Sequence, residues 1–303
     1  MTENHFADGC AYIEGKYYPI AQACIPITDT GFTRSDVTYD VVAVWNGKFF
    51  RLEDHLRRFE KSWKQLHMHP DLSMEQMQGI LFECVRRSGL RQAYVDMILS
   101  RGLDEDGSRD PRRFRNRFYA YAIPYVWIAK PEMQEVGIHL AVAEKTIRIP
   151  ARAVDPRVKN FHWGDLMQGL YEAFERGAYT VVLPDARGNI TEGPGFNLFV
   201  CHKGTLHTPA AGVLEGITRQ TVIDLAEEQG LPVKLDRFGT SMLETAEEVF
   251  LSSTAGGIMP VTTVNNRPVG GGKPGEITTL IRRRYWEAHD EERWTTPVNY
   301  VGT

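Results

Sequence analysis

The sequence lacks the features that mark several classes of protein. Its four cysteines, Cys10, Cys24, Cys84 and Cys201, are widely separated and include no CxxC pair, which argues against a zinc site and against a small disulfide framework. No segment approaches the roughly 18 apolar residues of a membrane span, and no basic region followed by an apolar run opens the chain. We therefore expect reduced cysteines, no metal site, no membrane partner and a soluble, cytoplasmic protein.

A strong charge of either sign is also missing. The formal net charge is −4 and the basic residues form no dominant block, so nothing favours a nucleic-acid partner or a membrane surface. The 303 residues show no internal repeat and no low-complexity tract, and with 42% hydrophobic and 24% charged residues they can bury the cores of two domains. A small molecule is the partner that this composition favours.

The first half predicts a β-hairpin followed by two helices. Thr38 to Trp45 is rich in β-branched and aromatic residues, and the Asn46-Gly47 pair favours a type I′ turn before the strand resumes. A second helix is expected from a cap at Ser73 to a stop at Gly89. Before it, apolar residues recur three or four positions apart and predict a helix that packs on the hairpin: Leu52, Leu56, Phe59, Trp63 and Leu66.

The middle of the chain contains a break in its apolar pattern. Strands are predicted over residues 92–102 and 117–129, joined by a charged segment, residues 103–116, that we expect to be an exposed and mobile loop. The alternation then stops over residues 129–137, which predicts an interdomain connection. The expected domains are an N-terminal α/β domain over residues 1–128 and a C-terminal α/β domain over residues 138–303, which carries Lys159.

The second half alternates strands and helices. Strands are predicted over residues 138–149, 179–184, 190–201, 205–209 and 248–264, and helices over residues 164–176 and 218–230. Residues 292–303 show no period and are predicted to be a tail. The first of these helices begins with Asp165 in its first turn, ends at Gly177 and has one apolar face: Leu166, Leu170, Ala173 and Phe174. Strands and helices in both halves predict an α/β or α+β fold of two domains.

One lysine, Lys159, stands in a short polar segment directly before that helix. An amine attacks a carbonyl only when it is unprotonated, and this requires burial or a neighbouring cation to lower the lysine pKa from its ordinary value of about 10.4. The alternative is a solvated loop lysine, which is the commoner environment. Lys159 alone does not decide between the two.

Two segments rich in glycine and hydroxyl groups could bind an anion. Gly216, Ile217 and Thr218 lie where a loop enters a helix expected to begin near Arg219, so amide donors, the helix dipole and a hydroxyl would converge there. The alternative is that Thr218 only caps the helix. Residues 252–257, with the sequence SSTAGG, follow an apolar strand and could form a second cradle, or a bulge that needs glycine. Two such cradles together suit one phosphate.

A carboxylate, Glu192, lies between an apolar strand position and the stiff sequence GPG. Held there, it could keep a heterocyclic nitrogen protonated through a charge-assisted hydrogen bond, and the alternative is a turn residue exposed to water. A lysine nucleophile, a phosphate cradle and this carboxylate together are the protein's share of pyridoxal 5′-phosphate chemistry, in which the cofactor is the electron sink.

Several motifs, in order over nearly the whole chain, resemble those of the fold type IV pyridoxal-phosphate aminotransferases. They are TYDVVAVWNGKFFRLEDHLRRF, PYVWIAKPEMQ, VKNFHWGDLMQG, TEGPGFN, GVLEGITR and STAGGIMPVTT, and their likeness is greatest to the (R)-selective amine transaminases. The family includes branched-chain and D-amino-acid aminotransferases and aminodeoxychorismate lyase, and has two α/β domains, a cofactor between them and a homodimeric assembly. The resemblance implies a transferase that moves an amino group between a primary amine, (R)-configured, and a keto acid such as pyruvate.

The resemblance also implies roles for individual residues. Lys159 would form a Schiff base with the cofactor and move the proton, and Glu192 would hold the pyridine nitrogen. From periodicity alone Arg58 is a solvent-facing helix residue able to pair with Asp54, so its role depends on the resemblance. Cofactor binding, largely to its phosphate, would fall to Arg58, Gly216, Ile217, Thr218, Ser253 and Thr254, and substrate binding to Tyr39, Val41, Tyr121 and Ala255.

The sequence departs from the subgroup in one place. Glu135 follows the PxMQ motif where the subgroup has an arginine that can pair with a substrate carboxylate, and a carboxylate there would repel a keto acid. Arg112, Arg113 or Arg115 could supply the cation instead.

Other activities therefore stay open. One is a D-amino-acid or branched-chain aminotransferase, with a lyase less favoured. Another is a binding protein that keeps the two cradles for a phosphorylated ligand. Lys159 and Glu192 argue against the binding protein, because simple binding needs neither of them.

Overall fold

The computed structural model describes residues 5–104 and 107–300 of the chain. Within these residues fifteen strands and eight α-helices follow one another: β1 (Cys10–Ile13), β2 (Lys16–Pro19), α1 (Thr30–Arg34), β3 (Val37–Trp45), β4 (Lys48–Phe50), α2 (Leu52–Gln65), α3 (Met74–Ser88), β5 (Ala93–Leu103), β6 (Arg115–Pro124), α4 (Pro131–Val136), β7 (Ile138–Val142), α5 (Gly164–Glu175), β8 (Thr180–Val182), β9 (Asn197–His202), β10 (Thr205–Pro209), α6 (Ile217–Glu228), β11 (Val233–Asp236), α7 (Thr240–Glu244), β12 (Glu248–Ser253), β13 (Gly257–Val264), β14 (Arg267–Pro268), α8 (Glu276–Ala288) and β15 (Thr295–Pro297). Strands and helices are both substantial, as the α/β prediction requires.

The described chain forms two compact units, each with its own sheet. The first unit holds the described residues up to Val126, residues Val158–Phe161 and the described residues from His289 onward, and the second holds Trp127–Arg157 and His162–Ala288. These bounds differ from the expected domains, residues 1–128 and 138–303. The difference arises because two segments from the second half of the chain, one of them carrying Lys159, hydrogen-bond to the first sheet.

The sheet of the first unit is antiparallel, with the strand order β15-β4-β3-β5-β6-β1-β2. Asn46 and Gly47 join β3 to β4 with φ angles of 50° and 77°, and a type I′ turn needs positive φ at both positions. The predicted hairpin is therefore confirmed.

Helices α2 and α3 pack their apolar residues into one core with the strands of the first sheet. On α2, Leu52, Leu56 and Phe59 are buried, in agreement with the predicted spacing. The predicted cap of α3 is confirmed, since Ser73 and Gln76 form a capping box there, and Gly89 ends the helix in the left-handed conformation.

The sheet of the second unit is mixed, with the strand order β11-β10-β9-β12-β13-β7-β8 and β14 paired to β13. Strand β7 is parallel to β8 and to β13, and β10 is parallel to β11. Residues 248–264, predicted as a strand that continues through a hydroxyl- and glycine-rich corner, form two antiparallel strands, β12 and β13, and that corner is a hairpin turn.

Helix α5 confirms a predicted helix but corrects its buried face. Leu166 and Ala173 are buried with Leu170 packed beside them, whereas Phe174 is 57% exposed. At about 100° of rotation per residue, Phe174 lies on a neighbouring stripe with Met167 and Tyr171, which are also exposed. The prediction that Phe174 belongs to the core is therefore wrong.

Three predicted strands are too long. Strand β6 ends at Pro124 and β7 at Val142, and β9 begins only at Asn197. Before β9, the GPG sequence forms a tight turn in which Gly193 and Phe196 bond to each other through their backbones. The residues predicted as an interdomain connection, 129–137, contain helix α4.

The carboxyl-terminal segment is not a tail as far as it is described. Strand β15 pairs with β4, and Val298 joins the core of the first unit, so that prediction is wrong, while residues 301–303 lie outside the described part. Within the predicted charged loop, residues 105 and 106 lie outside the described part of the chain. Residues Pro111–Arg113 of that loop form one 3-10 turn. Among the helices of the described residues, none has the length and apolar character to cross a membrane.

Candidate active site

Lys159 is held against the first sheet by its backbone. The Lys159 carbonyl oxygen accepts hydrogen bonds from the Tyr39 amide at 3.2 Å and from the Thr38 hydroxyl at 2.7 Å, and Asn160 forms an isolated bridge with Thr38. The Lys159 Nζ lies 4.0 Å from the centroid of the Tyr39 ring. This lysine is therefore placed over a sheet face by β3, and the alternative of a freely solvated loop side chain does not describe it.

The same sheet face carries the predicted substrate residues of the first unit. Strand register pairs Val41 on β3 with Asp96 on β5, and Asp96 with Tyr121 on β6, so their side chains stand side by side. Tyr39 lies two residues before Val41 and therefore on the same face, where its ring packs 4.5 Å from that of Phe161. The structure thus brings Tyr39, Val41 and Tyr121 together with Lys159.

Asp96 is a buried carboxyl group at the centre of this face. Its Oδ2 accepts a hydrogen bond from the Tyr121 hydroxyl at 2.9 Å, and its Oδ1 has no hydrogen-bond partner among the described residues. Burial raises the pKa of Asp96 to about 8, although the bond from Tyr121 and the charge of Lys159 both lower it. Burial also raises the pKa of Tyr121, and the Asp96 charge adds to that shift.

Arg58 is held by a buried carboxylate that points away from that face. By strand alternation Asp40 points opposite to Tyr39 and Val41, and it accepts hydrogen bonds from Arg58 Nε and Nη2, both at 2.7 Å. His55 Nδ1 lies 2.8 Å from Asp40 Oδ1. Burial alone would raise the pKa of Asp40, but Arg58 and His55 outweigh it and hold that pKa well below its usual range. The Arg58 side chain is only 11% exposed, so Arg58 is not the solvent-facing helix residue that periodicity alone suggests, and Asp54 bonds Arg51 and Arg57.

In the second unit, Glu192 belongs to a buried ion-pair network. Its Oε1 accepts hydrogen bonds from Arg148 Nε at 3.2 Å and Nη2 at 3.1 Å, and its Oε2 accepts one from the Leu214 amide at 2.7 Å. Arg148 also donates to Asp165 at 2.6 Å, and both Arg148 and Glu192 are buried. Glu192 is therefore not a turn residue exposed to water.

The amino-terminal end of α6 is the first predicted anion cradle. The helix begins at Ile217 with Gly216 as its N-cap, so Thr218 lies inside the first turn and the alternative that Thr218 caps the helix is wrong. No side chain caps this end, which leaves the first-turn amides of the helix pointing out of it. Thr218 is buried and hydrogen-bonds the Tyr285 hydroxyl.

The space beside Gly216 is filled by its neighbours. A Cβ added there would overlap the Asn197 side chain, whose Nδ2 donates to the Leu214 carbonyl at 2.9 Å. Since the Leu214 amide bonds Glu192, one short loop connects the carboxylate to the amino-terminal end of α6. The structure therefore joins Glu192 and the first cradle within the second unit.

The second predicted cradle is the turn between β12 and β13. The Ser253 hydroxyl donates to the Gly195 carbonyl at 2.7 Å and accepts from the Ala255 amide at 3.1 Å, and the Ala255 carbonyl accepts from the Ile128 amide at 2.9 Å. Asn197, which lies beside Gly216, pairs with Ser252 across β9 and β12. Residues 253–255, with Thr254 at their centre, therefore lie at the sheet edge that also holds the first cradle.

The charged residues considered for a substrate carboxylate lie on exposed surfaces. Glu135 is 69% exposed on α4 and pairs with Arg282 at 2.8 Å. Arg112 and Arg115 pair with Asp110 and Asp71, and both arginine side chains are largely exposed.

Three contributors to these sites were not found from the sequence: Asp40, Asp96 and Arg148. Each is a charged residue with an apolar or aromatic residue directly on both sides, and buried charges of this kind need a partner. That signal marks them as unusual positions, but their partners are set by strand register and by a loop, which periodicity does not supply.

Comparison with known proteins identifies the family of this chain and related structures. The family described as "Amino-transferase class IV" matches residues 38–264. A putative branched-chain-amino-acid aminotransferase of Methanocaldococcus jannaschii is 30% identical over 277 residues, covering 90% of this chain and 94% of that protein. A D-alanine aminotransferase of Bacillus licheniformis is 26% identical over 270 residues, covering 88% and 93%. The crystal structure of a T.th. branched-chain amino acid aminotransferase with pyridoxamine 5′-phosphate has a TM-score of 0.89 and 27% identity, covering 96% and 99%.

The donor groups suit pyridoxal 5′-phosphate. The aldehyde of this cofactor needs an amine, and its pyridine nitrogen needs a carboxylate. Its phosphate is bound well by free amides at the start of a helix, beside a glycine that lets the phosphate come close. Lys159, Glu192 and the α6 end at Gly216 are groups of those kinds, and Gly216 leaves no room for a side chain. With the match over residues 38–264, the chain belongs to the class IV aminotransferases and is a pyridoxal 5′-phosphate-dependent aminotransferase of the fold type IV architecture.

Proposed function

We propose that this enzyme transfers the amino group of an (R)-configured primary amine to a keto acid such as pyruvate. The observation that carries the proposal is the position of the Lys159 Nζ over the Tyr39 ring, on a sheet face that also presents Val41 and Tyr121. An aromatic and aliphatic wall beside the amine suits the apolar substituent of an arylalkylamine. In this proposal Tyr39, Val41, Tyr121 and Ala255 contact the substrate.

The proposed roles follow from the chemistry of each side chain. Bound pyridoxal 5′-phosphate supplies an electron sink for the carbon that carries the amino group. The Lys159 amine holds the cofactor and, once released, removes a proton from that carbon and returns one to the cofactor carbon. Glu192 would hold the ring nitrogen, and Arg148 and the Leu214 amide fix its carboxylate for that role. Arg58, Gly216, Ile217, Thr218, Ser253 and Thr254 bind the phosphate group.

A D-amino-acid or branched-chain aminotransferase is the second candidate. It is favoured by the relatives, which are named as D-alanine and branched-chain-amino-acid aminotransferases. Such an activity requires a cation for the substrate carboxylate. The sheet face with Lys159 carries the Asp96 carboxyl instead, which favours the amine.

We also propose a cytoplasmic homodimer. Met167, Tyr171 and Phe174 form an exposed apolar stripe on α5, with 43%, 64% and 57% of their surface accessible. A contiguous stripe of this kind is typical of an interaction surface. All four cysteines lie in the described part of the chain and are free, which suits a reducing compartment.

Spectroscopy tests the proposed function. The enzyme incubated with the cofactor should be yellow, and Lys159→Ala should abolish the covalent link while the exposed-surface control Lys145→Ala keeps it. (R)-1-phenylethylamine should bleach the bound cofactor faster than its (S) enantiomer, D-alanine or L-leucine. If only an amino acid changes the spectrum, the second candidate is correct, and a protein that stays colourless with the cofactor contradicts both.

A further inference from the structure

The Asp96 carboxyl lies at the centre of the face that we assign to the substrate. Its strand neighbours in register are Val41 and Tyr121, both proposed substrate contacts, and the side chains of all three point to one side of the sheet. Asp96 is 3% exposed. A substrate that contacts Val41 and Tyr121 therefore meets the Asp96 carboxyl between them.

One oxygen of this carboxyl group has no partner. Tyr121 donates to Oδ2, and Oδ1 is buried without a hydrogen-bond partner of good geometry among the described residues, the nearby Met97 amide only lowering the pKa of the group. A buried polar atom without a partner costs free energy that a ligand group can recover. The two oxygens of the Asp96 carboxyl group therefore differ: the protein binds Oδ2, and Oδ1 is left for a ligand.

The groups around Asp96 come from several elements. Lys159 attracts its charged form, Asp40 opposes it, and Tyr121 donates to it, while the Asp96 charge acts on the hydroxyl of Tyr94. Lys159 is the cation among these groups, and in the working enzyme its amine is bound to the cofactor. Burial therefore favours the protonated form of the Asp96 carboxyl, and its ionised form would repel a second anion beside it.

Building on the proposed function, we propose that Asp96 is a specificity-determining residue whose Oδ1 binds a hydroxyl group on the amine substrate and which, when ionised, rejects a carboxylate at that position. A hydroxyl both donates and accepts, so it pairs with the protonated and with the ionised form of Asp96. A carboxylate only accepts, so it pairs with the protonated form and is repelled by the ionised form. The substrate class is therefore a 2-amino alcohol or a related hydroxylated amine.

Three amino donors that share a methyl group test this proposal. (R)-2-amino-1-propanol, D-alanine and 2-aminopropane differ only by a hydroxymethyl, carboxylate or methyl substituent. Their kcat/KM values are measured from pH 6.5 to 9.5 for the wild-type enzyme, for Asp96→Asn and for Asp71→Asn, whose carboxylate is exposed and pairs with Arg115. Dividing each variant ratio by the wild-type ratio at the same pH removes the titration of the amines themselves.

The expected result is a selectivity that depends on pH. Because burial raises the Asp96 pKa, the wild-type preference for the amino alcohol over D-alanine, divided by that of Asp96→Asn, should rise by up to about tenfold per pH unit as the pH passes above that pKa. Asp96→Asn should lose this pH dependence and keep only that of the amines themselves, and Asp71→Asn should behave as the wild type. A preference that changes with pH in the same way in the wild type and in Asp96→Asn overturns the proposal.

A binding measurement separates this proposal from the proposed function. The affinity of the wild-type holoenzyme for propionate is measured by calorimetry at the same pH values, with no turnover and no variant. Affinity should fall by up to about tenfold per pH unit above the raised pKa of Asp96, because only the protonated form of Asp96 accepts the carboxylate. An affinity that does not change with pH overturns the role of Asp96, whereas an enzyme that converts only amino acids contradicts the proposed function.

Discussion

Arg58 donates two hydrogen bonds of 2.7 Å to the carboxylate of Asp40, whose side chain is completely buried. A bidentate arginine–carboxylate pair fixes the plane of the guanidinium group as well as its position. If Arg58 binds the cofactor phosphate, then Asp40 determines where that cation can be. Asp40 is in this sense a positioning residue, and His55 supports it from α2.

Asp40→Asn should destabilise the enzyme and weaken cofactor binding. Removing one partner of a buried pair leaves the other charge uncompensated, at a cost of about 3–5 kcal/mol. Urea unfolding measures the stability and a cofactor titration measures the affinity. On the same helix as Arg58, Glu60→Gln breaks only the exposed pair with Lys64 and should cost less than about 1 kcal/mol. Equal effects of the two substitutions would contradict this role of Asp40.

The Asp40–Arg58 pair also predicts how the stability of the enzyme depends on acidic pH. The pKa of Asp40 is depressed in the folded state, so its stabilising effect is fully present above the ordinary range of an aspartate and is lost as the pH falls below it. Burial lowers the pKa of His55 and Asp40 raises it, so both proteins carry His55→Gln, and the stability measured between pH 6 and pH 3 should then decline more steeply with Asp40 than with Asp40→Asn. Parallel curves would show that the pair makes no pH-dependent contribution.

The sequence predicts those elements of the fold that a few adjacent residues determine, and it misses those that depend on distant partners. The Asn46-Gly47 turn and the Ser73 cap are confirmed because a few adjacent residues determine them. Strand β15 was missed because its evidence is its partner β4, about 250 residues away in the chain. Phe174 was misplaced because a helix with two neighbouring apolar stripes does not reveal which one is covered.

The residues of the candidate site also fall into those that a local motif reveals and those that depend on the register of distant strands. Lys159 and Glu192 were found through motifs that lie in one stretch of sequence each. Asp96 was missed because its significance comes from standing between Val41 and Tyr121, and that arrangement exists only once β3, β5 and β6 are in register. A lone aspartate within a strand is visible in the sequence, but its neighbours are not.

Arg148 should be essential for the folded state around Glu192. Arg148→Leu removes the cation shared by Glu192 and Asp165, so two carboxylates remain close together with little solvent. We expect a loss of about 3–5 kcal/mol in the free energy of unfolding, measured in urea. Arg157→Leu, which breaks an exposed pair with Asp155, should cost less than about 1 kcal/mol. Should Arg148→Leu be as stable as this control, the network does not hold Glu192.

The Thr38 hydroxyl should hold the Lys159 segment. Thr38→Val keeps the side-chain shape but removes the 2.7 Å hydrogen bond to the Lys159 carbonyl, at a cost of about 1 kcal/mol. We expect borohydride to trap less cofactor on Lys159 in this variant at limiting cofactor concentration. Thr38→Ser keeps the hydroxyl and should restore the trapped fraction. An equal fraction in Thr38→Val and in the wild type would exclude this role.

Gly216→Ala should weaken the binding of inorganic phosphate and of the cofactor. The φ of Gly216 is −64°, which alanine adopts readily, so any effect comes from the overlap of the new Cβ with Asn197 rather than from the backbone. Displacing Asn197 breaks its bond to the Leu214 carbonyl, and overpacking of this kind costs about 1–3 kcal/mol. Gly164→Ala on α5 meets no atom and should be neutral or slightly stabilising. Phosphate affinity that is unchanged in Gly216→Ala would show that this loop does not form the cradle.

Asp96→Asn should stabilise the enzyme, and more so at higher pH. The pKa of Asp96 is raised from 3.8 to about 8 in the folded state, so the folded protein resists ionisation that the unfolded chain undergoes freely. The protonated carboxyl contributes its full stability below the pKa that Asp96 has in the unfolded chain. Between that pKa and the higher pKa of the folded state, the free energy of unfolding falls by about 1.4 kcal/mol per pH unit.

Asparagine is neutral at every pH and can still accept the hydrogen bond from Tyr121. The difference in unfolding free energy between Asp96→Asn and the wild type should therefore grow from pH 5 to pH 7.5, whereas for the exposed Asp71→Asn it should stay constant. A constant difference for Asp96→Asn as well would mean that the carboxyl is ionised in the folded enzyme at pH 5, and the selectivity assigned to it would then lose its physical basis.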